Sequence, residues 1–257
     1  MTKTSTKEKP VPTLTLPEIK TRPTLAVETA KLWVYGGPGV GKTTLAVAMA
    51  DDALLLATDP RYKHLSVFAQ DIDSWDTFVA VGKALRETDK HRVIVIDRVE
   101  LLYQMCLVET MRGMGRRHPS DQEDFGQGWQ AVGSAWSGTL ASLCGLGRGV
   151  VFVSHEKTEE IKGFVPKNRV SPDMSGKAFG SVAGVVDFML QCAVEQTDDG
   201  PRHVLHTLGT DERSCKRTHI PGGNPLPDVI DRPADDPAGP LRAALLEAAP
   251  VEKEPAA

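Results

Sequence analysis

One octapeptide constrains this chain more than any other stretch: Gly36-Gly37-Pro38-Gly39-Val40-Gly41-Lys42-Thr43, a complete GxxxxGK[ST] pattern. It follows the apolar run Lys31 to Tyr35 and precedes Thr44-Leu45-Ala46-Val47-Ala48-Met49-Ala50, which reads as a helix. Strand, glycine loop and helix in that order make a cradle for phosphate. The glycines let main-chain N–H groups wrap phosphate oxygens, and the positive end of the following helix adds a favourable field. Lys42 is expected to reach the β- and γ-phosphates as a point charge, and the Thr43 hydroxyl to ligate Mg²⁺. Thr44 contacts the α-phosphate region or starts the helix, so the expected binding set runs from Gly36 to Thr44.

A metal held by one hydroxyl and by phosphates needs a carboxylate nearby. Arg92-Val93-Ile94-Val95-Ile96-Asp97 supplies one at the end of an apolar strand, a Walker B pattern. Thr43 and Asp97 are the expected metal ligands. Residue 98 is Arg, so no Asp-Glu pair follows the strand and the acid that activates water must lie elsewhere. Two residues compete for that role. Asp59 ends the run Leu54-Leu55-Leu56-Ala57-Thr58-Asp59, and the ends of such strands gather ligand groups. Glu100 is expected to face solvent or to pair with a base, so Asp59 is preferred. A fourth apolar run, Gly149 to Ser154, leads into His155, where either Ser154 or His155 could sense a γ-phosphate by hydrogen bonding. The catalytic candidates are therefore Lys42, Asp59, Asp97 and His155.

Short apolar runs alternate with helical patterns, as in a parallel sheet covered on both faces. Ser74 is placed to cap a helix carrying Trp75, Phe78, Val79 and Leu85 on one face, and Leu101, Leu102, Met105 and Val108 mark another. Two further runs, joined through Asp198, Asp199 and Gly200, predict an antiparallel hairpin. The expected fold is thus α/β, a mostly parallel sheet flanked by helices, with a C-terminal antiparallel hairpin. Only 5% of residues are aromatic, which leaves burial to aliphatic side chains. Residues 1–23 hold five Lys or Arg against two Glu and read as a flexible basic arm. The region 222–257 holds seven of the eighteen prolines and seven acids against three bases, and reads as a mostly disordered acidic tail with one short helix from Leu241 to Ala249. Residues 24–221 form the expected domain. Four scattered cysteines predict neither zinc nor disulfides. No apolar run approaches the roughly 18 residues needed to span a bilayer, and a cytoplasmic location without membrane contact is expected.

Taken together, the phosphate loop, the VIVID strand, the acid after the second strand, VFVSH and the segment His118 to Trp129 resemble a RecA-type core ATPase. The likeness is closer still to the small phage-encoded RecA-like ATPases that assist single-strand annealing and recombination, and it covers roughly Leu32 to Pro221. By this resemblance Asp59 stands where the family has a catalytic glutamate, one methylene longer. Ser154 and His155 match the polar pair that reports the γ-phosphate to DNA-binding loops. Lys216 and Arg217 resemble basic residues that reach the nucleotide of a neighbouring subunit, which implies a ring or filament.

Two stretches read as mobile loops. Met111 to Gly128 mixes bases with three acids, whereas Ile161 to Lys177 carries Lys162, Lys167, Arg169 and Lys177 against Asp173 alone. The second is the better DNA loop, with Phe164 available to stack on a base. The net charge of −4 excludes a bulk polycation, so any nucleic-acid contact must be local. No guanine-reading NKxD pattern is present, which favours ATP. The expected function is a Mg²⁺-dependent ATPase that binds single-stranded DNA and supports recombination or annealing, as a homo-oligomer, with a single-strand-binding or other recombination protein as partner. Rival readings are an AAA+ helicase loader, an annealing module in which ATP only modulates, and a small-molecule kinase.

Overall fold

A computed structural model describes residues 25–121, 126–161, 166–174, 176–220 and 223–248. Its strands are β1 (Lys31–Gly36), β2 (Leu54–Ala57), β3 (Phe68–Asp71), β4 (Val93–Asp97), β5 (Gly149–Ile161), β6 (Lys167–Pro172), β7 (Phe188–Thr197), β8 (Gly200–His206), β9 (Lys216–Arg217) and β10 (Val229–Asp231). Its α-helices are α1 (Lys42–Val47), α2 (Trp75–Ala84), α3 (Val99–Gly113), α4 (Gln127–Cys144), α5 (Gly176–Val185) and α6 (Gly239–Ala248). The sheet order is β10-β8-β7-β1-β5-β4-β2-β3, with β6 paired to β5 and β9 to β7. From β3 to β7 the pairing along this path is parallel, and it turns antiparallel at β8. The expected α/β architecture and the hairpin through Asp198, Asp199 and Gly200 are both present.

Alternation along each strand builds a core on either face. Leu32 and Val34 of β1 with Val93 and Val95 of β4 face one side, where Leu45 and Met49 meet them. Trp33, Tyr35, Ile94 and Ile96 face the other, against Trp75, Phe78, Leu102, Trp136 and Val182 from α2 to α5. Ser74 caps α2 as expected, its hydroxyl accepting from Thr77 N–H at 3.1 Å.

Several expectations need correction. The region after Gly222 is no disordered tail over its described residues, 223–248. Strand β10 extends the sheet, and Leu226, Ile230, Leu241, Ala244, Leu245 and Ala248 are buried in the first core. The physical reason lies in coverage: α2 to α5 occupy the second face, and the short α1 leaves the first face wanting an apolar partner, which α6 supplies. The prolines and acids between 223 and 248 are all exposed or half-buried, so they lie on the outer surface and leave the apolar residues to the core. Over its described residues the stretch Ile161 to Lys177 is also not a loop throughout, because β5 runs on to Ile161 and β6 returns antiparallel along it. The basic arm at 1–23, Lys162 and Phe164 lie outside the described residues. Among the described residues no helix is long and apolar enough to cross a membrane.

If α6 closes the first core, Leu245→Ala lowers the unfolding free energy by about 2–5 kcal/mol, as for other fully buried leucines. Chemical denaturation measures this, and a near-zero change would show that α6 does not hold the sheet.

Candidate active site

Strand register gathers the site. Gly36 lies beside His155, and Asp97 lies between Ala57 and Val153, so β1, β2 and β4 end at one level, which β5 passes at His155. A cavity of about 220 Å³ opens there, lined by Pro38, Gly39, Gly41, Lys42, Thr43 and Thr44 from the loop and by Asp59, Asp97, Arg98 and His155 from the strand ends. Gly36 and Gly37 take part through their carbonyls, and Val40 packs on the first core. The loop needs its glycines for two reasons. A Cβ on Gly36 would stand 2.3 Å from the Cys192 carbonyl oxygen of β7, and Gly39 and Gly41 have φ of +76° and +80°.

Lys42 is buried, and its Nζ donates to Gly36 O at 2.9 Å and Gly37 O at 2.6 Å. Desolvation pulls its pKa below the ordinary lysine value, against Asp97, Glu100 and other acidic neighbours. Thr43 Oγ1 donates to Asp97 Oδ2 at 2.5 Å. Burial raises the Asp97 pKa despite that bond and the charge of Lys42. A hydroxyl and a carboxylate brought together are hard oxygen ligands suited to Mg²⁺, which takes its remaining positions from phosphate and water. With the positive-φ loop and the amine above them, these residues fit a metal–nucleotide complex.

Arg98, read in the sequence only as the residue that breaks an acidic pair, is the hub of the far wall. It donates Nη1–H to His155 Nδ1 at 2.8 Å and stands 3.7 Å from both Asp59 and Glu100. Because guanidinium only donates, His155 Nδ1 accepts and the ring proton sits on Nε2. Burial, then Arg98, lowers the His155 pKa and keeps the ring neutral. Asp59 lines the cavity as expected, and it also caps the turn Pro60–Tyr62 by accepting from Arg61 N–H. The Arg61 side chain closes on it at 2.8 Å and holds its carboxyl below the usual range.

Other expected site residues are placed in part differently. Glu100 does not face solvent but meets the second expectation, a base, in Arg98 at 3.7 Å; its side chain is 13% exposed, and Oε1 accepts the His155 main-chain N–H at 3.2 Å. The first turn of α3 aims it back at β5. Ser154 is fully buried and accepts from Trp33 Nε1 at 3.0 Å, because successive strand residues face opposite sides and only His155 looks into the cavity. Lys216 donates to Ala183 O and Val186 O, and Arg217 to Thr207 and Asp228, so both are engaged inside their own chain rather than extended to a neighbour. Lys167 pairs with Asp211 at 2.6 Å, Arg169 donates to Asp211 O, and Lys177 is exposed at the start of α5. The structure does not bring these bases to the cavity.

Desolvation pushes Glu100 from the ordinary 4.5 up to about 7. The folded state therefore holds a proton there that the unfolded chain has released, and stability falls as pH rises from about 4.5 to 7, by at most about 3 kcal/mol. His155, with its lowered pKa, slopes the opposite way near its ordinary value, so the comparison is between wild type and Glu100→Gln. The Tm of the variant is expected to gain on wild type steadily between pH 5 and 7; parallel curves would place Glu100 in contact with water.

A comparison with curated proteins gives no match. A family model described as an AAA domain matches residues 28–219, which takes in the phosphate loop, Asp59, Asp97, Arg98 and His155. This chain belongs to the AAA domain family of P-loop ATPases.

Proposed function

We propose that the chain hydrolyses ATP in a Mg²⁺-dependent reaction, slowly on its own, and that single-stranded DNA is the polymer that engages it. The observation that carries the ATPase reading is the contact of Thr43 Oγ1 with Asp97 Oδ2 beneath a buried lysine. Mg²⁺ held by these two oxygens would neutralise phosphate charge and fix the phosphate chain.

Hydrolysis joins a water oxygen to the terminal phosphorus, breaks the bond to the bridging oxygen and yields ADP and phosphate. Lys42 exchanges its two carbonyl partners for β- and γ-phosphate oxygens. His155 offers its Nε2–H to the terminal phosphate. Asp59 orients the water, and its pairing with Arg61 keeps it ionised but a weak proton acceptor, which supports slow turnover. What favours a polymer is β5, which carries His155 at the cavity and continues unbroken into the pairing with β6 and its bases, the exposed Lys167 and the half-buried Arg169. Recombination or annealing, in an assembly of several copies, is the activity this combination suits.

The test is phosphate release with and without Mg²⁺ and single-stranded DNA. Lys42→Ala and Asp97→Ala are expected to abolish turnover, and Asp59→Asn to slow it about 100-fold or more with nucleotide affinity unchanged. Wild-type turnover in Lys42→Ala would overturn the site. Turnover indifferent to DNA would overturn the polymer and favour a loader-type ATPase, whereas ATP-sensitive DNA binding without turnover would favour an annealing module.

A further inference from the structure

The geometry points to Arg232 as a positioning residue of the phosphate loop, which makes the C-terminal segment part of the nucleotide site; this rests on the ATP-binding reading above. Arg232 is 6% exposed and follows β10, with its main-chain N–H anchored on His203 O of β8 at 3.0 Å. Its side chain crosses under the loop. Nη1 donates to Val40 O at 2.9 Å and Nη2 to Gly41 O at 2.7 Å.

These two carbonyls share peptide planes with the N–H groups of Gly41 and Lys42. In a trans peptide, C=O and N–H point to opposite sides. A guanidinium that grips both oxygens therefore turns both N–H groups the other way, toward the cavity that Gly41 and Lys42 line. The Gly41 carbonyl also accepts the Leu45 N–H at 3.0 Å, so its direction is fixed twice, once by α1 and once by Arg232. A Cβ at Gly41 would come within 2.9 Å of Nη2, so the glycine admits the arginine as well as the positive φ. Nε is buried with no partner among the described residues, so the hydrogen bonds this side chain makes are those of its two terminal nitrogens to the loop. Behind a low-dielectric wall, the guanidinium charge also adds to the positive field that phosphates meet.

A control lies in the same segment. Arg242 donates to Ala48 O at 3.0 Å, at the far end of α1, and to Asp236. It ties the segment down without touching the loop.

The experiment measures the affinity of the full chain for a fluorescent ATP analogue with Mg²⁺, together with the nucleotide-free Tm. Arg232→Met is expected to weaken binding about 10- to 100-fold, the range for losing hydrogen bonds from a charged donor. Arg232→Lys should fall between, because it keeps the charge but lacks the planar fork that spans two oxygens. Arg242→Met should lower Tm while binding as wild type does. Wild-type affinity in Arg232→Met, or an equal loss in Arg242→Met, would overturn the proposal. Should Arg232→Met fail to fold, Arg232→Lys decides: wild-type affinity overturns the positioning role and weakened binding at unchanged Tm supports it. A wild-type chain that binds no nucleotide would overturn the ATP reading itself.

Discussion

The close approach of β1 to β7 is the constraint on which the site depends. The Cys192 carbonyl lies where a side chain on Gly36 would have to go, so the strand ends in glycine and the chain turns at once into the loop. On the other side of β1, the pairing of Gly36 with His155 brings β5 to the same level. Parallel pairing then carries that level across β4 to β2, which is why Asp97 and the residues just past Ala57 end at one rim. Nothing in the loop itself could place a carboxylate opposite Thr43; the sheet does so. Apolar burial on both faces, largely aliphatic on one and rich in aromatic rings on the other, keeps the strands from sliding, since a slip of one residue would send Trp33 and Ile94 into the opposite core.

The site also concentrates charge where water is scarce. Burial acts against the ionised form of Lys42, Asp97 and Glu100 alike, and only neighbours of opposite sign hold the group together. Arg98 is central to this, bridging the neutral His155 and two carboxylates of different character. Asp59 is held ionised by an exposed arginine, while Glu100 is pushed toward its neutral form by the wall behind it. A bound phosphate chain with its metal changes both sides of that balance.

Much of this was legible in the chain. The strands at Lys31, Leu54, Val93 and Gly149 announce themselves by unbroken apolar runs, and the loop by a pattern too specific to mistake. The elements that escaped have physical reasons to do so. All four residues of β3 are exposed, so Phe68 to Asp71 shows no alternation and pairs only because β2 offers it an edge. The extension of β5 past His155 is polar on both faces, and only its partner β6 makes it a strand. Glu100 sits in a helical phase that local periodicity cannot tie to β5. Arg232 stands among prolines and acids, where composition spoke for disorder, while Leu226, Ile230 and Leu245 were too widely spaced to outweigh it.

The bond from Arg232 to Gly41 spans 191 residues of sequence. During synthesis from the N-terminus, at rates of about 5 to 20 residues per second, the loop would leave the ribosome some ~10 to 40 s before the guanidinium that grips it. For that interval the nascent chain carries the glycines, the lysine and the threonine, but the Val40 carbonyl lacks the arginine that directs it and the Gly41 carbonyl has only the hold of α1. The phosphate cradle is thus among the earliest pieces of the chain to be made and among the last to be finished.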